Sequence, residues 1–185
     1  MGAAGVRRWA GVAALLAVWS GCHGPASGPS EAAVGPPAGE PAAATVYLVR
    51  HAEKEAEAGL DPPLTAEGAA RARALAELLA GAPIGSVVAT EFLRTQQTVA
   101  PLAERLGLEV EVVVAAAGDA LVARLRAGAP GSGALVAGHS NTVPALIAAL
   151  GVEEAVEIPE DRYGDLFVVR LEEGRTTLER RRFGD

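Results

Sequence analysis

Thr45-Val46-Tyr47-Leu48-Val49-Arg50-His51 is the stretch that decides the fold: a short β-branched and aromatic run that ends on two basic residues. Its apolar character is continuous rather than strictly alternating, which suits a strand covered on both faces. Runs of the same type recur at 86–90, 110–114 and 134–138. Between them lie stretches of helical period, 65–80, 91–106 and 119–127, followed by Gly81, Gly107 and Gly128, the usual helix stop. A fourth helix follows the 134–138 strand, with Thr142 near its start and Pro144 in the first turn, where proline is tolerated. It carries Leu146, Ile147 and Leu150 on one face and stops at Gly151. Strands alternating with helices predict an α/β fold, a single three-layer α/β/α domain with a mostly parallel sheet. Residues 166–171 and 176–182, separated by Glu172-Glu173-Gly174-Arg175, predict an antiparallel hairpin at the sheet edge, with solvated arginines.

With 185 residues, half of them hydrophobic, the chain can build one domain of ordinary size, so one core and one site are expected. A formal net charge of -7 offers no global attraction to nucleic acid, which is therefore not an expected partner. Any anion binding must come from a local cluster of arginines. One cysteine excludes an internal disulfide framework and a thiolate-rich metal site, and three histidines without a carboxylate motif hardly supply a metal ligand set.

Cys22 is read by its position. Arg7 and Arg8 precede an uncharged apolar run at 9–19, and Ser20 and Gly21 supply small residues just before Cys22, the order of a secretory signal peptide over 1–21. At about 1.5 Å per residue the apolar run covers roughly half of a hydrocarbon core about 30 Å thick, so a spanning helix is the weaker reading. The segment resembles a bacterial lipoprotein signal, which implies a lipid on Cys22. Residues 24–44 are Pro, Gly, Ala, Ser and Glu with little to bury, so 22–44, His23 included, reads as a disordered, lipid-anchored tether. The expected location is exported, on a cell-envelope membrane, with the folded domain at 45–185.

The other two histidines are placed alike. His51 directly follows the first strand beside Arg50, and His139 follows the strand that ends at Gly138, with Ser140 and Asn141 leading into a helix. In open α/β sheets ligands bind beyond the carboxyl ends of the strands, so both histidines fall at the binding rim. Arg94 reaches the same rim shortly after the second strand. Two guanidiniums around a tetrahedral anion supply rigid forks of donors and permanent charge, so Arg50 and Arg94 are the expected phosphate clamps. A neutral imidazole can attack phosphorus if its other nitrogen is held by a hydrogen bond, while a second, protonated imidazole donates to the transferring oxygens. That assigns His51 as nucleophile and His139 as its partner. Glu53, Lys54, Glu55 and Glu57 read as a charged segment facing water, with Lys54 as a further cation available to the rim.

The residues Val46-Tyr47-Leu48-Val49-Arg50-His51-Ala52-Glu53-Lys54 resemble the opening strand and Arg-His signature of the histidine phosphatase, or phosphoglycerate mutase-like, superfamily. Leu64-Thr65-Ala66-Glu67-Gly68, Phe92-Leu93-Arg94-Thr95 and Val136-Ala137-Gly138-His139-Ser140-Asn141 resemble its later landmarks, in the same order. The resemblance implies a phosphohistidine at His51, a phosphate pocket of Arg50, Arg94 and His139, a small phosphorylated substrate, and no metal or organic cofactor. It points to a compact phosphatase, since the insertions of the family's mutases are absent. No residue clearly matches the family's acidic proton donor; Glu91, Asp119 and Asp165 are candidates by rough location, and a structural cap competes as the role of each. Without a donor, phenolates and phosphoramidates should leave much faster than alkoxides. A phosphate or phosphoglycan binding module without turnover is the alternative function.

Overall fold

The computed structural model describes residues 44–56, 59–128 and 132–184, so the expected signal peptide, the expected tether up to residue 43, with Cys22 and His23, and Glu57 lie outside the described residues, while Ala44, expected to end the tether, is the first residue of the sheet. The elements run β1 Ala44–Arg50, α1 Ala66–Leu78, β2 Ile84–Thr90, α2 Leu93–Leu106, β3 Val110–Val113, α3 Gly118–Arg126, β4 Gly133–Gly138, α4 Thr142–Ala149, β5 Asp165–Glu172 and β6 Arg175–Arg182. Among the described residues they form one sheet in the order β3-β2-β4-β1-β5-β6. The first four strands in that order pair in parallel, and β5 and β6 add an antiparallel hairpin against β1. No helix among the described residues is long and apolar enough to cross a membrane.

Alternate residues of each strand point to opposite faces, and both faces here are apolar. Val46 and Leu48 of β1 enter a core shared with Leu121, Val122 and Leu125 of α3 and Val143, Leu146 and Ile147 of α4. Tyr47 and Val49 enter the other core, with Leu75 of α1 and Val99 and Leu102 of α2. Two cores on two faces give the expected three layers, and they explain why the central strands read as unbroken hydrophobic runs.

The edges depart from the expectation. β3 is an edge strand of four residues with Val112 half exposed, so it lacks the cover that a fully buried run implies. Thr65 is the cap of α1 rather than part of it: its hydroxyl accepts from the Gly68 amide at 3.0 Å. Helix α2 begins at Leu93, leaving Glu91 and Phe92 in the preceding turn, and it ends on Gly107 at φ 66°, a left-handed cap. On the hairpin, Arg170 and Arg181 pair with Glu179, and Arg180 pairs with Glu154, all well exposed.

Glu53 corrects the picture of a charged segment facing water. Its carboxylate is only 15% exposed and receives Arg71 Nε at 2.8 and 3.0 Å, while Arg71 Nη1 donates to the carbonyls of Phe183 and Gly184. The approach that allows this depends on Gly68. A Cβ at that position would collide with the Glu53 carbonyl oxygen, which already accepts the Thr65 amide at 2.9 Å, and would lie 3.0 Å from the Glu53 nitrogen. Backbone cannot swing aside as a side chain can. Gly68→Ala should therefore destabilise the domain by about 1–3 kcal/mol despite alanine's better helix propensity, as overpacking does elsewhere. Thermal unfolding of the variant checks this; an unchanged or raised midpoint would show that helix α1 is free to back away.

Candidate active site

Three strand ends meet beside one cleft. The His51 amide donates to the Gly138 carbonyl at 2.9 Å, continuing the β1–β4 pairing by one residue and bringing the segments after both strands together. The imidazoles of His51 and His139 consequently face each other edge to face, 5.5 Å between ring centres. Arg94, in the first turn of α2, adds its guanidinium: Nη2 lies 3.2 Å from His139 Nε2. With Arg50, these residues line a cleft of about 570 Å³ together with Lys54, Phe92, Ser140 and Glu160. The structure thus brings together all four residues expected at the rim.

Each is fixed by local chemistry. Arg50 is buried, and its Nη1 donates to the carbonyls of Pro159, Glu160 and Arg162 at 2.8, 2.8 and 3.2 Å, so the loop before β5 is folded around the guanidinium. Tyr163 covers it, 4.5 Å from the guanidinium carbon to the ring centre. Arg94 lies over the Phe92 ring at 4.3 Å and 3.6 Å from Asp61, whose carboxylate also caps the Leu93 amide at 3.0 Å. Thr98 joins α2 to the segment after His51, accepting the Ala52 amide at 2.9 Å and donating to the Arg94 carbonyl at 2.7 Å. The Thr142 hydroxyl accepts the His139 amide at 2.8 Å.

His51 Nδ1 is 2.8 Å from the Ala52 carbonyl. A carbonyl can only accept, so Nδ1 carries the proton and the lone pair sits on Nε2. Burial holds the His51 pKa at about 4, against the partial opposition of that hydrogen bond and with help from the charges of Arg50, His139 and Arg94. At neutral pH His51 is uncharged, with its ring oriented by the Ala52 carbonyl. His139 is also pushed down, by burial first and then by Arg94, with Glu91 opposing. With its pKa below the ordinary value, His139 is uncharged near neutrality and its Nε2 accepts from Arg94 Nη2. A bound anion favours the imidazolium and would return His139 to the protonated role expected of it.

The Nε atoms of Arg50 and Arg94 are buried without a hydrogen-bond partner among the described residues. Unpaired guanidinium N–H groups are costly, and both belong to arginines that line the cleft. Among the acids proposed as proton donors, none lines the cleft. Glu91 is exposed and accepts the Ala115 amide at 2.8 Å. Asp165 does begin a strand whose start lies at the rim, since β5 is antiparallel to β1, but it pairs with Arg162 at 2.7 Å and Arg182 at 3.3 Å. Asp119 stands in the first turn of α3, at the border of a separate apolar cavity.

The carboxylate that does line the cleft is Glu160, absent from the expectations. Its Oε1 receives the Ser140 hydroxyl at 2.5 Å and its Oε2 Arg50 Nη2 at 2.9 Å, and these two contacts, the Ser140 hydrogen bond first, hold its pKa below the usual carboxylate range. It is 81% exposed at the cleft mouth. No local pattern marks it, because it sits in an acid-rich loop, 153–161, whose other acids face solvent as well. Asp61 and Tyr163 also escaped notice, each on an irregular segment.

Comparison with known proteins gives a consistent picture. The model of the histidine phosphatase superfamily (branch 1) matches residues 46–117. The probable phosphoglycerate mutase GpmB of Enterobacter sp. (strain 638) is 38% identical over 71 residues, 35% of this chain; the match spans about a third of that relative's length, 33%. The protein histidine phosphatase SixA, solved with tungstate, superposes with a TM-score of 0.61 at 26% identity, covering 75% of this chain and 96% of that one. A mycobacterial glucosyl-3-phosphoglycerate phosphatase shares the fold, with a TM-score of 0.60 at 19% identity over 77% of this chain and 99% of its own.

Proposed function

We propose that this domain, which has the sequence landmarks and the fold of the histidine phosphatase superfamily, hydrolyses phosphomonoesters or phosphoramidates through a phosphohistidine at His51. The observation that carries the proposal is the state of His51: neutral, its proton on Nδ1 held by the Ala52 carbonyl, its free nitrogen in a cleft with Arg50, Arg94 and His139. Nε2 attacks phosphorus, the bond to the leaving oxygen or nitrogen breaks, and the positive charge gained by the ring is supported through Nδ1–H. The two arginines hold the equatorial oxygens, where charge is spread in phosphoryl transfer. With the anion bound, His139 takes up a proton and donates to the same oxygens. Water then attacks the phosphohistidine, releasing orthophosphate and restoring His51. None of these steps calls on a metal or an organic cofactor.

SixA, the relative solved with tungstate, is described as a protein histidine phosphatase, which supports including the phosphoramidate linkage. We further propose export and anchoring through a lipid on Cys22, supported by the order of Arg7, Arg8, the apolar run and Ser20-Gly21-Cys22. Export argues against cytosolic protein substrates and favours small phosphorylated compounds of the cell envelope.

A substrate series tests the enzymatic reading. With no uncharged acid lining the cleft among the described residues, aryl phosphates and phosphoramidates should be turned over faster than alkyl phosphates by about 10²–10⁴-fold, the usual worth of general acid catalysis. Orthophosphate that raises the melting temperature, without turnover of any member of the series, would replace the enzyme with a binding module.

A further inference from the structure

We propose that the apolar cavity between α3 and α4 is the leaving-group subsite of this cleft, and that it selects uncharged aryl groups. The inference rests on the phosphatase reading above and names the substrate class within it. The cavity holds about 210 Å³ beyond the ends of β2, β3 and β4. Its floor is the buried Val136, Leu121 and Leu146. Its rim includes Ala145 and Ala149 of α4, both exposed, so it can be entered from solvent.

Position makes it a subsite rather than a packing fault. Ala115 and Thr142 line both this cavity and the cleft of the two histidines, and Thr142 is the residue that holds the His139 amide. A phosphoryl group between His51 and the arginines can thus place its substituent past Ala115 and Thr142 into apolar space. The size is sufficient: an apolar cavity of about 150 Å³ accepts a benzene ring. Asp119 at the border disfavours an anionic substituent.

The chemistry of the wall agrees. Between β3 and α3 the cavity is lined by Ala115, Ala116 and Ala117, which carry no proton donor, and Asp119 at the border is the only acid on its lining among the described residues. A phenol ionises near about pH 10, far more readily than an alcohol, so its oxygen can depart as phenolate and take its proton from water. Nε2 of His51 forms the bond to phosphorus, the phosphorus–oxygen bond to the aryl group breaks, and water later releases orthophosphate. The site thereby binds groups that leave without help from an acid.

The test compares phenyl phosphate with acetyl phosphate, a small donor with a good leaving group and no ring, in the unaltered protein and in Ala145→Phe and Ala149→Phe. Filling the cavity should lower the ratio of kcat/KM for phenyl phosphate to that for acetyl phosphate by at least about tenfold, within the range of hydrophobic pocket discrimination. Calorimetry with phenol on the unaltered protein in orthophosphate should find one site, lost in the variants. An unchanged ratio in a folded variant, or no phenol site in the unaltered protein, overturns the subsite and leaves the phosphatase reading intact. Failure of the unaltered protein to hydrolyse either donor overturns both.

Discussion

His51→Ala should reduce hydrolysis of an aryl phosphate by at least about 10³-fold, the scale on which removal of a covalent nucleophile acts. No neighbour can substitute. His139 is the other imidazole of the cleft, but its Nε2 is engaged by Arg94 at 3.2 Å, and its backbone is held by Thr142 at the end of β4. The fold should survive, because the bonds that fix the segment are made by backbone: the amide of residue 51 to the Gly138 carbonyl, and the Ala52 amide to Thr98. What is lost is the bond from Nδ1 to the Ala52 carbonyl and the proposed nucleophile. Brief incubation with an isotopically labelled aryl phosphate, quenching in alkali, which spares phosphoramidates, and peptide mapping would locate the label. Label on His51 that decays as product appears is the expected result. Label on another residue, or turnover retained in a folded His51→Ala, would remove His51 from the nucleophile's place.

The same geometry explains which parts of the site are legible in the sequence. Arg50, His51 and His139 sit at or directly after strand ends and Arg94 in the first turn of a helix, so placing the strands and helices places them too. Their convergence follows from parallel pairing of β1, β4 and β2, which sets those ends side by side. Glu160 and Tyr163 are different. They sit in the irregular stretch before β5, whose path is set by three carbonyls gathered on Arg50 Nη1, contacts spanning more than a hundred residues of sequence. Periodicity says nothing about such a loop. Asp61 is likewise placed by the helix terminus it caps 32 residues later.

Glu53 shows a subtler limit. Leu64-Thr65-Ala66-Glu67-Gly68 was visible as a landmark, but why a glycine should stand there was not: it lets α1 rest on the Glu53 backbone and brings Arg71 to the Glu53 carboxylate. A charge beside Lys54 and Glu55 looks solvated until a helix is known to cover it. The error in β3 has the opposite origin. Its composition is that of a buried strand, yet edge position leaves Val112 half exposed, because local sequence does not disclose sheet order.

Acidification should weaken the domain through His51 in a defined window. The folded pKa is about 4 and the unfolded value the ordinary 6.5, so between them the unfolded chain binds more protons and stability rises with pH. The contribution is fully present above the unfolded value and is lost as pH falls through the folded one. For a shift of this size it amounts to about 3 kcal/mol in full, most of it gone by roughly pH 4.5. His139, pushed in the same direction, adds to the slope. Chemical denaturation near neutrality and near roughly pH 4.5 should therefore show a smaller loss in His51→Ala than in the unaltered protein, even if the variant starts less stable. Saturating orthophosphate should flatten the unaltered protein's profile, because an anion between Arg50 and Arg94 favours the protonated ring and raises its folded pKa towards the unfolded one. Parallel pH profiles for the two proteins would mean that His51 titrates normally in the folded state. The uncharged nucleophile that the proposed reaction uses at neutral pH would then owe nothing to burial.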